Sequence, residues 1–195
     1  MSVSKLKKDK FITFTVDRKQ EDMTALQKVY MEIHFMAKLD NPNIIKIYEM
    51  IQDDKQDYIY LVTEFCHFGQ ISDWDNMKNK YIRNQALYAH LIETELNGEE
   101  IKENNETLEK VGRIIFKEAM KGMLYLHEKN IVHRDIKPDN IFFSKEGNRA
   151  KIGDFTVSQQ LPDPEFMLMS KAGTTLFMAP EIEPPEEDDG KLIYL

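Results

Sequence analysis

Apolar and polar positions change period several times along the chain, and each change predicts an element. Over 11–16, Ile12, Phe14 and Val16 alternate with Thr13 and Thr15, the pattern of a short strand. Over 22–39 the period becomes helical. Ala25, Leu26, Val29, Ile33, Met36 and Leu39 fall on one stripe, and Asn41-Pro42 stops the helix because a residue before proline is pushed out of helical geometry. Two strand-like runs follow at 44–51 and 58–65, joined by a polar turn, DDKQD. The pattern predicts a helix over 81–96, ended by Asn97-Gly98, and then a solvated acidic loop, EEIKENNE. Helical spacing returns over 108–128 through Leu108, Val111, Ile115, Met123 and Leu126. Short strands at 141–143 and 150–152 flank KEGN as a hairpin. The end, 182–195, carries Pro-Pro and an acidic run and reads as a disordered tail.

Composition narrows the classes. With 42% hydrophobic residues in 195, the chain can bury a core. No apolar run approaches the roughly 18 residues needed to span a bilayer, and no signal-peptide core follows the basic start, so no membrane partner is expected. The basic run in 1–10 reads as a solvated face. A net charge of -8 argues against a general nucleic-acid binder. Cys66, the single cysteine, cannot form an intrachain disulfide, which fits a reducing, cytoplasmic setting. With no second thiol to join it, Cys66 is read as a packed residue rather than a metal ligand or reactive group.

The most specific stretch is HRDIKPDN, 133–140, followed by Asp154-Phe155 and by GTTLFMAPE, 173–181. Six specified positions in eight residues are not expected by chance. Together these runs match a catalytic loop of the HRDxxxxN type with its DFG and APE companions. The chain therefore resembles the protein kinase superfamily, and Lys137, two residues after Asp135, is similar to the Ser/Thr branch. The resemblance implies ATP and Mg²⁺ as cofactors. Asp135 would accept or orient the proton of the substrate hydroxyl, and Lys137 would neutralise charge on the transferring phosphoryl group. Asn140 and Asp154 would supply oxygen ligands to Mg²⁺. Arg134 would grip a phosphorylated activation loop, with Ser170 or Thr175 as the modified hydroxyl and Thr174 as a structural one. His133 reads as structural, since Asp135 already fills the role of base.

The resemblance extends upstream. Glu32 would be the C-helix acid that pairs with the ATP-contacting lysine, although a helix Glu taken alone reads as solvated. Thr63 would be the gatekeeper, the backbone of Glu64 and Cys66 would meet adenine's edge, and Phe142 would floor the adenine pocket. Gln70 stands where many relatives carry an acid for the ribose. Departures are equally plain. No glycine-rich phosphate loop and no VAIK-like segment precede the C-helix. If the first residues are the third N-lobe strand, Ser2 stands where the anchoring lysine belongs, and a hydroxyl cannot replace that cation. The DFG glycine is Thr156, whose β-branch resists the conformations open to glycine.

The expectation is an α+β, bilobal kinase-like fold, with 1–65 as a partial N-lobe and 66–181 as a truncated, mainly helical C-lobe. A complete fold of this kind is expected to need roughly 250 residues, above the usual domain mode. The expected activity is ATP-dependent phosphorylation of Ser/Thr hydroxyls on protein substrates. The runs ALQKVYMEIHFMAKLDNPNIIKIYEM and AGTTLFMAPE are similar to the calcium/calmodulin-dependent protein kinase kinase group, whose members phosphorylate other kinases. No calmodulin-binding helix is visible. The alternative is a pseudokinase or kinase-like binding module, favoured by the missing phosphate loop and lysine. A two-metal hydrolase built on Asp135 and Asp154 leaves the HRDIKPDN and APE context unexplained.

Overall fold

The computed structural model describes residues 2–4, 11–17, 33, 36–52, 58–96, 105–162 and 172–182. In chain order the strands are β1 (Ser2–Ser4), β2 (Phe11–Asp17), β3 (Ile47–Gln52) and β4 (Tyr58–Glu64). They form an antiparallel sheet in the order β1-β2-β4-β3. The alternation at 11–16 is thus a strand, and it lies beside β4 with Ile12 opposite Thr63 and Phe14 opposite Leu61. This corrects the placement of the third N-lobe strand at the first residues. β1 is an edge strand on the far side of β2, and β2 occupies the position next to β4. No residue of FITFTVD is a lysine.

The strand expected over 44–51 begins only at Ile47. Ile44 leaves this sheet and bridges to Ile152, with Ile45 N–H donating to Ile152 O and Ile152 N–H to Asn43 O, each at 2.9 Å. A continuous apolar run does not reveal which partner strand it joins. Helical backbone is present at Ile33 and again over 36–38, ending where the Asn41 side chain accepts from Asn43 N–H. Leu39, the last residue of the helix expected over 22–39, is buried but not helical, and 22–32, Glu32 included, and 34–35 lie outside the described residues.

After β4 the chain turns through Cys66–Gly69 into β5 (Gly69–Gln70), which pairs with β9 (Ile141–Ser144). The helix expected over 81–96 is shorter, because 72–83 form a hairpin: β6 (Ser72–Asp75) and β7 (Lys80–Arg83), with Trp74 opposite Tyr81. Helix α1 (Gln85–Glu95) starts at Asn84, an extended residue whose Oδ1 accepts from Leu87 N–H at 3.1 Å. The Asn84 amide also donates to Phe68 O and Gln70 O. One side chain therefore caps the helix and ties it to the turn before the hairpin.

Helix α2 (Asn105–Glu128) confirms the long periodic stretch. Val111, Ile115, Ala119, Gly122 and Leu126 are its buried face, spaced three or four apart. Full burial of Val111 and Leu126 stabilises by about 1.5–3 kcal/mol each. Gly122 is required by closeness: a Cβ there would sit 2.7 Å from Asn43 O and 2.9 Å from Ile152 Cδ1. Beyond α2 come β8 (Ile131–Val132), β9, β10 (Arg149–Ile152) and β11 (Gln159–Gln160). The β9–β10 hairpin is the one the sequence predicts, with Lys151 opposite Phe142.

A half-buried polar knot joins the segment around Asn43 and the end of β4 to α2 and β10. Asn43 Nδ2 donates to Glu118 Oε2 on α2 and to Ala150 O on β10, both at 2.9 Å. Beside it, Lys151 donates to Pro42 O at 2.7 Å and pairs with Glu64 Oε1 at 2.8 Å. These bonds fix the end of β4 against β10, and so position the chain that leads on to Asp154.

Candidate active site

The catalytic loop leaves β8 and re-enters β9 through one turn of 3-10 helix, Pro138–Asn140. Proline's fixed φ favours that first turn. Within it, Asp135, Lys137 and Asn140 converge. Asp135 Oδ1 accepts from the Thr174 backbone N–H at 2.8 Å and from its hydroxyl at 2.7 Å. Its Oδ2 pairs with Lys137 Nζ at 2.9 Å and accepts from Asn140 Nδ2 at 3.0 Å. Lys137 Nζ also donates to Thr174 Oγ1 at 2.8 Å. Burial alone would raise the Asp135 carboxyl, but the bonds from Thr174 and Lys137 outweigh it and hold the group below its usual value. The result is a carboxylate kept ionised beside an ammonium, at the end of a loop.

Gly173 makes the approach of Thr174 possible. Its φ is +108°, and a Cβ there would lie 2.1 Å from Arg134 O. Only glycine tolerates both that φ and that contact.

His133 is fully buried, edge-on to Phe155 with ring centroids 5.0 Å apart. Its Nε2 lies 3.0 Å from Gly153 O and its Nδ1 is 3.3 Å from Asp135 N–H. A neutral ring donating from Nε2 and accepting at Nδ1 satisfies both contacts. Burial pushes this imidazole below its ordinary value, against the opposing pull of Gly153 O and the nearby Asp154 and Asp135. The structural role expected of His133 matches this position.

Gly153 N–H donates to Asn140 O at 3.0 Å, which places Asp154 next to Asn140. Asp154 carries φ +62° and Arg134 φ +66°. Among the described residues, the other non-glycine residues with positive φ are asparagines, which tolerate that region more readily. Strain of about 1–3 kcal/mol at a residue is held where surrounding contacts over-determine it. Here that strain falls on Arg134, next to Asp135, since aspartate tolerates the left-handed region much as asparagine does. Thr156 takes no positive φ, so its β-branch meets no conflict. Its hydroxyl donates to Asp154 Oδ1 at 2.6 Å and pins that carboxylate. Spacing and periodicity carry no signal for this cap.

Among the described residues no group of three or more His, Cys, Asp or Glu side chains could hold a metal ion. The Asn140 amide nitrogen and Asp154 Oδ1 are engaged, leaving the Asn140 Oδ1 and Asp154 Oδ2 as oxygen donors. Two such oxygens suit a hard ion that takes its remaining ligands from phosphate and water.

The residues expected around adenine are spread over β4, the turn beyond it and β9. Thr63 is buried and Phe142 half-buried. A Cβ at Gly153 would meet both Ile45 Cδ1 (2.8 Å) and Phe142 Cε2 (3.2 Å), so the three residues share one packed corner. Glu64 N–H donates to Lys46 O, and Cys66 O accepts from Gly69 N–H. Burial first, and Glu64 second, push the Cys66 thiol up to about 12, which leaves it inert near neutral pH. Gln70 donates to Asp139 O at 2.8 Å, so it braces the catalytic loop. Arg134 Nε donates to Val157 O at 2.6 Å. Thr175 is exposed, while Ser170 and Glu32 lie outside the described residues. A cavity of 290 Å³ opens beside Pro42, Lys46, Tyr48, Glu64 and Lys151 and includes none of the catalytic-loop residues.

These side chains lie together on an α+β scaffold. The family described as protein kinase domain matches residues 2–189, and the chain belongs to that family. It is similar to a Dictyostelium discoideum protein named as a probable serine/threonine-protein kinase, with 32% identity over 158 residues. That match covers 81% of this chain and 18% of the relative, so the chain spans about a fifth of the relative's length.

Proposed function

We propose that this chain carries the transfer site of an ATP- and Mg²⁺-dependent protein kinase acting on Ser/Thr hydroxyls. The observation that carries the reading is the Asp135–Lys137–Thr174 cluster, closed by Asn140. Asp135 orients the acceptor hydroxyl and takes its proton as the oxygen bonds the γ-phosphorus and the bond to the β,γ-bridging oxygen breaks, releasing ADP. Lys137, 2.9 Å from Asp135, neutralises charge building on the phosphoryl oxygens. Asn140 and Asp154 would hold the metal ion, which supplies charge compensation for the phosphates when bound. Thr63, the Glu64 and Cys66 backbone and Phe142 would line the adenine subsite. Lys137 and the named relative support Ser/Thr over Tyr acceptors. The sequence similarity to the kinase kinase group supports another kinase as substrate.

A second reading rests on a specific observation. The strand beside β4 contains no lysine to anchor ATP phosphates, which favours a kinase-like binding module. The two readings separate in one experiment. Full-length protein is incubated with labelled ATP and a mixed Ser, Thr and Tyr peptide library, with and without Mg²⁺. Mg²⁺-dependent label on Ser or Thr is expected. Label on Tyr alone, or no label with Mg²⁺ present, overturns the reading.

A further inference from the structure

The 72–83 hairpin reaches the transfer site through one side chain. Tyr81 Oη donates to Asp139 Oδ2 at 2.5 Å, and Asp139 sits between Lys137 and Asn140. Tyr81 is also the middle ring of a ladder. Trp74 meets it edge-on at 5.0 Å across the hairpin, and Phe177 also meets it edge-on at 5.6 Å. Phe177 lies three residues from Thr174, whose hydroxyl bonds Asp135. The ladder and the transfer site therefore share one wall. Trp74 is 38% and Phe177 37% exposed, an open apolar surface of large rings beside the position of the acceptor hydroxyl.

We propose that this ladder is the side-chain subsite of the acceptor peptide, and that Tyr81 sets it to take a bulky apolar residue rather than a basic one. The inference rests on the transfer-site reading above. An uncovered Asp139 beside the acceptor would attract an arginine or lysine. Tyr81 instead spends one oxygen of that carboxylate on its own hydroxyl and stands between the acid and the exposed rings. Burial, then the bond to Asp139, push the Tyr81 phenol up to about 12, so it remains a donor at neutral pH. The Asp139 carbonyl is held as well, by Gln70, which fixes the acid in place. An apolar side chain entering here gains ring contact without stripping water from a charge.

Trp74 is the chain's single tryptophan, so its fluorescence reads the subsite without any catalysis. The probes are short peptides with one Ser in an alanine background and Phe, Leu, Ala or Arg at each flanking position in turn. The Phe and Leu peptides are expected to shift Trp74 emission saturably, about tenfold tighter than their Arg counterparts, the discrimination one apolar pocket supplies. Tyr81→Phe keeps the ring but frees Asp139, and it should cut that ratio to about one or reverse it. An Arg peptide binding tightest to the wild type, no saturable change with any peptide, or an unaltered ratio in Tyr81→Phe overturns the proposal. Saturable binding in the expected order without phosphate transfer would keep the subsite and remove the kinase reading. Transfer with an Arg preference would do the reverse.

Discussion

Thr174→Val isolates the contact that closes the site. Valine keeps the volume and the β-branch of threonine and removes only the hydroxyl. Two bonds go with it, the 2.7 Å donation to Asp135 and the 2.8 Å acceptance from Lys137. Hydrogen bonds to charged groups contribute about 1.5–3 kcal/mol each. Three facts reduce that figure. The Thr174 N–H still reaches Asp135, Lys137 still pairs with it directly, and the Lys137 and Asp135 side chains are 20% and 11% exposed, so water can replace part of the loss. A net loss of about 2 kcal/mol follows, or roughly 30-fold in the ratio of docked to undocked segment. The Asp135 carboxyl should also rise towards its ordinary value, because the first of the bonds that lower it has gone. Carbon-detected NMR of labelled aspartates reads that titration, and limited proteolysis near 172–178 reads the docking. An Asp135 titration unmoved by the substitution, with cleavage as slow as in the wild type, would refute the reasoning.

Further expectations follow from the packing and charge. Gly173→Ala places a Cβ 2.1 Å from Arg134 O at φ +108°, so the 172–175 segment must move and faster cleavage there is expected, whereas a wild-type rate would count against the geometry. Gly122→Ala gains about 1 kcal/mol of helix propensity but overpacks Asn43 O and Ile152, costing more, so Tm should fall by a few degrees in calorimetry. A rise in Tm would mean α2 and the Asn43 turn lie farther apart. His133 is held below its ordinary 6.5, so its contribution to stability is complete above that pH and is lost as pH falls, when the unfolded chain takes a proton the folded one refuses. Urea midpoints should therefore drop from pH 7.5 to 5.5 more steeply than in His133→Gln, and parallel profiles would contradict the assignment.

What the sequence discloses follows the range of the forces involved. The stripe of α2 and the β9–β10 hairpin are local periodicities, and the structure shows both. The HRDIKPDN spacing is also local, so Asp135, Lys137 and Asn140 could be placed together from their order alone. Thr174 is distant in sequence, and the family resemblance marks it as a structural hydroxyl; its bonds to Asp135 and Lys137 come from the fold. The helix predicted over 81–96 starts later, at Gln85, because Tyr81 and Ile82 pair with Trp74 and Asp73 in the β6–β7 hairpin. Asn84, a capping residue inside the predicted span, was the available signal. The Ile44-Ile45 pair joins β10 through bonds that no local pattern encodes. Likewise, the β-branch of Thr156 predicts a conformational conflict, because the sequence does not show that Asp154 takes the left-handed geometry instead. The lysine-free strand next to β4 needed the sheet order before it could be identified.

The proposed transfer reaction depends most directly on Asp135, as the group that orients the acceptor hydroxyl and takes its proton. Asp135→Asn changes charge and proton affinity with little change in shape, and Asn can still accept at one oxygen from Thr174. Single-turnover phosphate incorporation into a Ser/Thr peptide, by full-length wild type and variant at saturating Mg-ATP, measures the step itself. A fall of about 100- to 10,000-fold, with nucleotide affinity and Tm little altered, is the predicted result. Equal transfer by the two proteins, or a loss traced entirely to weaker nucleotide binding, would contradict it.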